Sequence, residues 1–409
     1  MSDARPAVLC IGTLDTKGPE TAALAAGIRQ RGCDTIILDS GILGGPQGVT
    51  PDITREEVAK AAGTDIDSLR TIGSRGAAIE RMLEGVRITA LQLHEAGRIH
   101  GVVALGGAEG SVLAAAAMTQ LPVGLPKLLV SPIASGRRIF EPFIGTRDVT
   151  VMHSVVDILG LNSIATVIFD NAAAAIAGMA IACHARKPVT SDRVQVAATM
   201  LGNTTLPLMW IREQMLKSDE ELVIFHANGV GGAAMEEALD SGHFSGVIDF
   251  TLSELAGEVA GGFHTCTGCE RLTEASRLGL PQVVVPGCVD FTVHGPREDL
   301  PQNKRDRPSH YHNPKFTLVR LNRDEQCEVA RRMVSRLNAA RGPVVLVLPM
   351  GGLSVPDVPG GDFQDSVITE AFCQELEQGL SGDIKVQHVE AHINDQVFAE
   401  AVLAAWRSC

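Results

Sequence analysis

Aromatic residues are scarce in this chain: 12 Phe, two Trp and one Tyr among 409 residues. Proteins that hold single strands stack bases on exposed rings, and so few rings do not make that platform. Cationic charge is short as well. Thirty-five Lys and Arg stand against 48 Asp and Glu, a formal net charge of −13, whereas phosphate backbones require clustered cations. The one dense basic run, Asn303-Lys304-Arg305-Asp306-Arg307, is interrupted by an acid. No nucleic-acid partner is expected. Long apolar runs are missing too. The most hydrophobic stretch, Ala172 to Cys183, is short for a bilayer and ends in His184, Arg186, Lys187 and Pro188, so it reads as a core helix and no membrane is expected. The nine cysteines are odd in number and lack framework spacing. With no secretory apolar segment at the start, a reducing, cytoplasmic compartment is expected.

Two phosphate-binding fingerprints are also absent. After the apolar run Val8-Leu9-Cys10-Ile11 comes Gly12-Thr13-Leu14-Asp15-Thr16-Lys17-Gly18. Lys17 precedes the second glycine, so this is not a Walker A loop, and no Gly-x-Gly-x-x-Gly stands here.

What is present is an alternation of short apolar strands and helices, run through twice. In the first half strands are expected at 7–12, 35–39, 101–105 and 127–130, with helices at 19–32, 74–96 and 162–185. Thr54 and Glu57 form a capping box at another helix start. In the second half strands are expected at 194–200, 221–227, 246–250, 282–285, 344–348 and 384–389. Such alternation builds parallel sheets with helices on both faces. The expected fold is α/β, two doubly wound Rossmann-like domains, residues 1–186 and 187–409, with the break at the polar, proline-bearing stretch 185–193 and a cleft between them.

Open α/β sheets bind ligands beyond the carboxyl ends of their strands. Loops rich in Gly and small polar residues follow the strands at those ends. The first offers Gly12, Thr13, Asp15, Thr16 and Lys17, or else is a capped turn with Pro19 opening the helix. The second, Gly106-Gly107-Ala108-Glu109-Gly110-Ser111, offers backbone N–H groups at a helix start, or else packs strand on helix closely. Ser135 and Gly136 close a loop after the next strand and add donors, or form an ordinary proline turn. Asp39, ending the second strand, is placed to accept from a ribose hydroxyl. In the second half Asn228-Gly229-Val230-Gly231-Gly232 repeats the glycine pattern.

Glu254, Asp290 and His312 are the candidates for acid–base catalysis, with helix capping or structural hydrogen bonding as the plainer reading of each. Cys266-x-x-Cys269, with His264, Cys288 and His294 nearby in sequence, suggests zinc, but no second such pair exists and no metal is expected.

Taken in order, these segments resemble a known family, uncharacterised protein family 0261, the Tm-1-like ATP-binding proteins. The resemblance rests on Ile11 to Gly18, Pro51 to Val58, Leu105-Gly106-Gly107, Lys127 to Gly136, Val155 to Asn162, Phe225-His226-Ala227, Gly231-Gly232, Ala234 to Glu237, His312-Asn313-Pro314 and His392-Ile393-Asn394-Asp395. It implies a two-domain α/β protein with a nucleotide site, ATP as ligand and Mg²⁺ beside it. Two positions depart from the family pattern. Glu109 stands in the second glycine loop, where it would repel a phosphate, and Ala233 stands where an arginine is usual.

The expected function is binding of ATP or a related phosphate-bearing metabolite. One alternative is an enzyme acting on a small carbon metabolite through Glu254, Asp290 or His312. The other is a module whose nucleotide controls a protein partner. A homo-oligomer is expected. If the two sheets face each other, Thr13 to Lys17 and Gly106 to Ser111 meet Asn228 to Gly232, Glu254 and Asp290 across one pocket.

Overall fold

The computed structural model describes residues 5–134, 143–187, 191–266 and 270–409. The chain divides into two compact units, Met1–Val189 and Thr190–Cys409.

The first unit is built on five parallel strands: β1 (Ala7–Gly12), β2 (Asp34–Asp39), β3 (Gly101–Leu105), β4 (Lys127–Ser131) and β5 (Val149–His153). Every residue of β3 and β4 is buried, which is why they read as unbroken apolar runs rather than alternating ones. Successive side chains leave a strand on opposite faces. Leu9, Ile11, Val102, Ala104 and Leu129 therefore pack on one side with Met82, Val86 and Leu113. Val8, Cys10, Val103, Leu128 and Val130 pack on the other with Leu24, Ile28, Phe169 and Ile176. The helices that supply these partners are α1 (Leu14–Gln30), α2 (Arg55–Ala61), α3 (Ile66–Thr71), α4 (Arg75–Glu95), α5 (Ala108–Met118) and α6 (Ser163–Ala185). The capping box starts α2, with Thr54 Oγ1 accepting from Glu57 N–H at 3.2 Å and Glu57 Oε2 accepting from Thr54 N–H at 2.8 Å.

The strand order is β2-β1-β3-β4-β5. The chain winds from β1 to β2, then crosses back over β1 to reach β3. The direction of winding reverses between β1 and β3, and the loops leaving those two strands diverge to opposite faces of the sheet. That is the switch point at which doubly wound sheets open a crevice.

The second unit repeats the winding. Its parallel strands are β6 (Val194–Met200), β7 (Glu220–His226), β8 (Phe244–Thr251) and β9 (Gln282–Gly287), and later β13 (Val344–Pro349) and β14 (Lys385–Val389), in the order β14-β13-β9-β8-β6-β7. Its helices are α7 (Thr205–Leu216), α8 (Gly231–Leu239), α9 (Ser253–Ala260), α10 (Glu274–Leu278), α11 (Arg323–Leu337), α12 (Ser366–Gly379) and α13 (Gln396–Ser408).

The sequence reading missed several elements. Between β9 and α11 stands a separate antiparallel sheet, β10 (Phe291–His294), β11 (Ser309–Asn313) and β12 (Phe316–Arg320), in the order β10-β12-β11. Its strands are four or five residues long, and β11 is polar throughout, so no long apolar run marks the sheet. β5 was missed for a related reason: it is an edge strand, half-exposed over most of its length. The apolar stretch read as too short for a bilayer belongs to α6, which is 23 residues long. Among the described residues it is the one helix long and apolar enough to cross a membrane. It lies instead on the sheet, with Ala165, Phe169, Ala173, Ile176 and Ala180 in the core.

Candidate functional site

At the carboxyl ends of β1, β2 and β3 a cavity of about 730 Å³ opens, lined by residues of the first unit alone. Its floor is the loop after β1. Thr13 is the N-cap of α1, and Lys17 N–H returns to Thr13 O at 2.8 Å. Lys17 then leaves helical geometry, with φ −125° and ψ 19°, before Pro19 resumes the helix. The turn is held from above by the segment after β2. Asp15 Oδ2 accepts from Gly44 N–H at 3.1 Å, and Gln47 N–H donates to Leu14 O at 2.9 Å. Gly18 makes this approach feasible, since a Cβ there would stand 1.7 Å from the Gln47 carbonyl oxygen.

The loop after β3 forms the second wall. Gly107 is the N-cap of α5 and has no side chain to satisfy the first-turn amides. The N–H groups of Ala108, Glu109 and Gly110 thus lack helical acceptors, and all three residues line the cavity. The third wall is the break between α3 and α4. Ser74 caps α4, accepting from Ala77 N–H at 3.2 Å, and Leu69, Arg70, Thr71, Gly73 and Arg75 complete that side. Arg70 is tied to the loop after β2, donating to Ile42 O at 3.1 Å and Leu43 O at 2.9 Å. The N-caps of three helices, Thr13, Ser74 and Gly107, therefore face one cavity. Ser74 and Gly107 open full helices, each contributing about half a positive charge at that end, whereas Thr13 opens a single turn that breaks at Lys17. Three cations, Lys17, Arg70 and Arg75, and two carboxylates, Asp15 and Glu109, line the cavity. Among these polar groups the lining also carries apolar residues, Ile42, Leu43, Leu69, Ala78, Ile79 and Leu113.

The sequence-expected residues divide. Thr13, Asp15, Thr16, Lys17, Gly107 and Gly110 line the cavity. Lys17 Nζ meanwhile donates to the Ile158 carbonyl. Gly12, Gly106, Asp39 and Ser111 are struts behind it. A Cβ at Gly12 would stand 2.6 Å from Thr21 Oγ1, and one at Gly106 would stand 2.5 Å from the carbonyl carbon of Gly110. Ser111 is wholly buried, its Oγ spent on Gly106 O at 2.9 Å and Ser131 Oγ at 2.7 Å. Asp39 is 1% exposed and accepts from Leu14 N–H at 3.1 Å and Gly41 N–H at 2.8 Å. Burial pushes its carboxyl above the usual range. Both bonds use Oδ1 and fix the mouth of the site, and Oδ2 has no hydrogen-bond partner among the described residues. Ser135 and Gly136 lie outside the described residues. Glu109 is paired with Arg75 at 2.6 Å, so its charge is partly answered inside the cavity. Sequence reasoning missed Arg70, Ser74 and Arg75. The signal was there, in Arg70-Thr71-Ile72-Gly73-Ser74-Arg75, a cationic Gly/Ser break between two helical segments.

In the second unit the glycine loop is already filled. Glu254 Oε1 accepts from Gly229 N–H at 3.0 Å and Gly232 N–H at 2.9 Å, so the protein's own carboxylate occupies the anion position. Its other oxygen accepts from Arg271 Nε at 2.8 Å. Arg271 is wholly buried and also grips Asp249 at 2.8 Å and Glu236 at 2.8 Å. A Cβ at Gly232 would lie 2.2 Å from Arg271 Nε, so that glycine serves the ion cluster. Gly231 is held equally tightly, a Cβ there falling 2.0 Å from His226 O. Asn228 Oδ1 accepts weakly from Val230 and Gly231 N–H, both at 3.4 Å. Glu254, read as a candidate acid or base, is wholly buried and engaged as the counter-ion of Arg271.

Asp290 is also wholly buried, accepting from Ser354 Oγ at 2.6 Å. Burial raises its pKa to about 6, with Asp357 pushing the same way and Arg320 opposing. His312 lies exposed on β11, in the small antiparallel sheet. Cys288 is sealed among Leu201, Ala227, Phe291, Val293, Leu318 and Phe363, and His294 Nε2 is engaged by Thr292 Oγ1 at 2.9 Å. Cys269 lies outside the described residues.

A switch-point crevice walled by helix N-termini defines a class: a doubly wound α/β protein with a cavity at the switch point of its first unit. Residues 6–185 match the N-terminal domain, and 193–409 the C-terminal domain, of an uncharacterised protein family, UPF0261, and the chain belongs to that family. A UPF0261 protein of Clostridium tetani is 36% identical over 97% of this chain and 96% of its own. One from Rhizobium meliloti is 35% identical, covering 98% of both. The tomato (Solanum lycopersicum) ToMV resistance protein Tm-1(GCR237) is 33% identical over 97% of this chain, which spans 55% of that longer protein.

Proposed function

We propose that the first unit binds a phosphate-bearing small molecule, with ATP and Mg²⁺ as the foremost candidate, in a cytoplasmic protein. The observation that carries this reading is the convergence of the N-caps of α1, α4 and α5 on one cavity. Aligned N–H groups and dipoles favour an anion there without a basic surface. The volume of about 730 Å³ suits a nucleotide-sized ligand, and the apolar residues of the lining would accept a base while the N-termini take phosphates. Asp15 and the hydroxyls of Thr13 and Thr16 would hold Mg²⁺; one Asp15 oxygen is engaged by Gly44 N–H and the other is the one for the metal. The ion would neutralise the phosphates.

Binding is favoured over catalysis by the second unit, where Glu254 and Asp290 are buried and engaged. Calorimetric titration of the whole chain with ATP, with and without Mg²⁺, tests the reading. Lys17→Ala is expected to weaken binding by about 1–3 kcal/mol, as for a charge-assisted hydrogen bond. No heat and no thermal stabilisation by ATP, ADP or inorganic tripolyphosphate would overturn it.

A further inference from the structure

The small antiparallel sheet of the second unit carries one polar row across its strands. Thr317 of β12 pairs with His294 of β10 on one side and with Tyr311 of β11 on the other, and cross-strand partners share a face. Thr292, two residues from His294, lies on that face as well. Thr292, His294 and Thr317 are all buried. Thr292 Oγ1 engages His294 Nε2 at 2.9 Å, but Thr317 Oγ1 has no hydrogen-bond partner among the described residues.

The basic run supplies a cation to this row. Lys304 ends the short turn Gln302–Lys304 and is only 4% exposed. It lies near enough to His294 to oppose protonation of that ring. Its Nζ makes no hydrogen bond and no ion pair among the described residues. Glu325 attracts it, yet that carboxylate is bonded to Arg307 Nη1 and to the N–H of Asn322. A buried cation without a bonded anion is costly to hold, and here an unused hydroxyl shares its surroundings.

We propose that this sheet holds a second binding site, for a small organic molecule bearing one carboxylate, which Lys304 and Thr317 would grip. The charge count selects the ligand. Arg307 is answered by Glu325. Burial, with Lys304 and Arg307 nearby, holds the His294 pKa down to about 4, so its ring is neutral near pH 7. Lys304 is left as the uncompensated cation, which matches one negative charge better than the nearly two of a phosphate monoester. The rings select the rest of the molecule. Phe263, Tyr311 and Phe316 are the exposed aromatic side chains among the described residues, and all three border this sheet. Tyr311 neighbours Thr317 in register. Phe263 N–H donates to Val293 O at 2.7 Å, and the Phe263 and Phe316 rings meet edge to face, centroids 6.2 Å apart. In a chain so poor in aromatics, that gathering favours a ligand with a flat or apolar body.

The test is a ligand-observed NMR titration of the whole chain with benzoate, benzamide and phenyl phosphate, for wild type, Lys304→Met and Thr317→Val. Wild type is expected to bind benzoate, and to bind the uncharged benzamide at least about 10-fold more weakly. Lys304→Met is expected to weaken benzoate by a similar factor while melting at or above the wild-type temperature, because an apolar chain replaces an unpaired buried cation. Thr317→Val, which keeps the side-chain shape and every charge, is expected to weaken benzoate a few-fold and reports on the site independently of the cation. Absence of benzoate binding at millimolar concentration overturns the proposal. So does benzoate binding that both substitutions leave intact, or a Lys304→Met protein that melts well below wild type, since the amine would then be structural. Phenyl phosphate binding more tightly than benzoate, in a manner that depends on Lys304, overturns the carboxylate assignment.

Discussion

Asp290→Asn should remove a specific pH dependence from the stability of this protein. The Asp290 carboxyl is wholly buried. One oxygen accepts from Ser354 at 2.6 Å, and the other, Oδ1, has no hydrogen-bond partner among the described residues. Burial lifts the pKa from 3.8 to about 6. Between those values the folded protein keeps a proton that the unfolded chain has released, so stability falls as pH rises through that window. Below about pH 4 both states are protonated and the penalty vanishes; above about pH 6 it is complete. A rise of that size corresponds to about 3 kcal/mol. Asparagine cannot ionise, and its amide would occupy the partnerless position at a cost of about 1–3 kcal/mol that does not change with pH. The variant should therefore be the less stable protein at pH 4 and should gain on wild type by about 3 kcal/mol by pH 7. For a unit of this size that is roughly 6–12 °C in relative Tm. Thermal melts of the whole chain at half-unit pH steps, followed by circular dichroism, measure it. A difference in Tm between the two proteins that stays flat from pH 4 to pH 7.5 would refute the reasoning.

Other outcomes follow from the same contacts. Arg271→Met leaves Glu236, Asp249 and Glu254 buried without their cation and should destabilise by about 3–5 kcal/mol; denaturant melts showing less than 1 kcal/mol would mean water reaches the cluster. Gly232→Ala sets a methyl 2.2 Å from Arg271 Nε and should lower Tm at pH 7 while leaving ATP titration unchanged, since the candidate cavity belongs to the first unit. Glu109→Gln frees Arg75 from a partly exposed pair of the sort worth about 0.2–1 kcal/mol and should tighten ATP binding a few-fold by calorimetry. Weaker binding by that variant would show that Glu109 itself contacts the ligand.

How much of this was legible in the sequence depends on distance along the chain. The parallel strands announced themselves because β3, β4, β9 and β13 are buried along their whole length and so carry unbroken apolar runs. The loops after β1 and β3 were legible for the same reason, as each is a small polar break following such a run. The antiparallel sheet was not, because β10 is only four residues long and β11, Ser309-His310-Tyr311-His312-Asn313, carries no apolar run. Asp39, at a strand end, and Ser111, in the first turn of a helix, were read as ligand contacts. What they hold, Gly41 N–H and Ser131 Oγ, becomes apparent only when the loops are folded over one another. Arg70, Ser74 and Arg75 sit far in sequence from the glycine loops, and only the crossover from β2 to β3 brings them to the same crevice.

The two units make the sharper comparison, because they share one winding and one kind of glycine loop and use it oppositely. In the first, the N-terminus of α5 opens on the cavity with Gly107, Ala108 and Gly110 along its wall, and the nearest carboxylate, Glu109, is turned to Arg75. In the second, Glu254 reaches across from the end of β8 and takes the amides of Gly229 and Gly232 for itself. A buried carboxylate in that place would be costly alone, and Arg271 answers it together with Asp249 and Glu236. The element that decides between an open loop and a closed one is therefore not the glycine pattern. It is whether the neighbouring strand ends in a carboxylate with a buried arginine behind it. In the second unit that arginine is Arg271, with Leu272 beside it in a left-handed conformation at φ +65° and its N–H held by Glu236 at 2.7 Å. Backbone strain thus accompanies the closing of one loop, while the loop after β3, with no buried arginine behind it, stays open on the cavity.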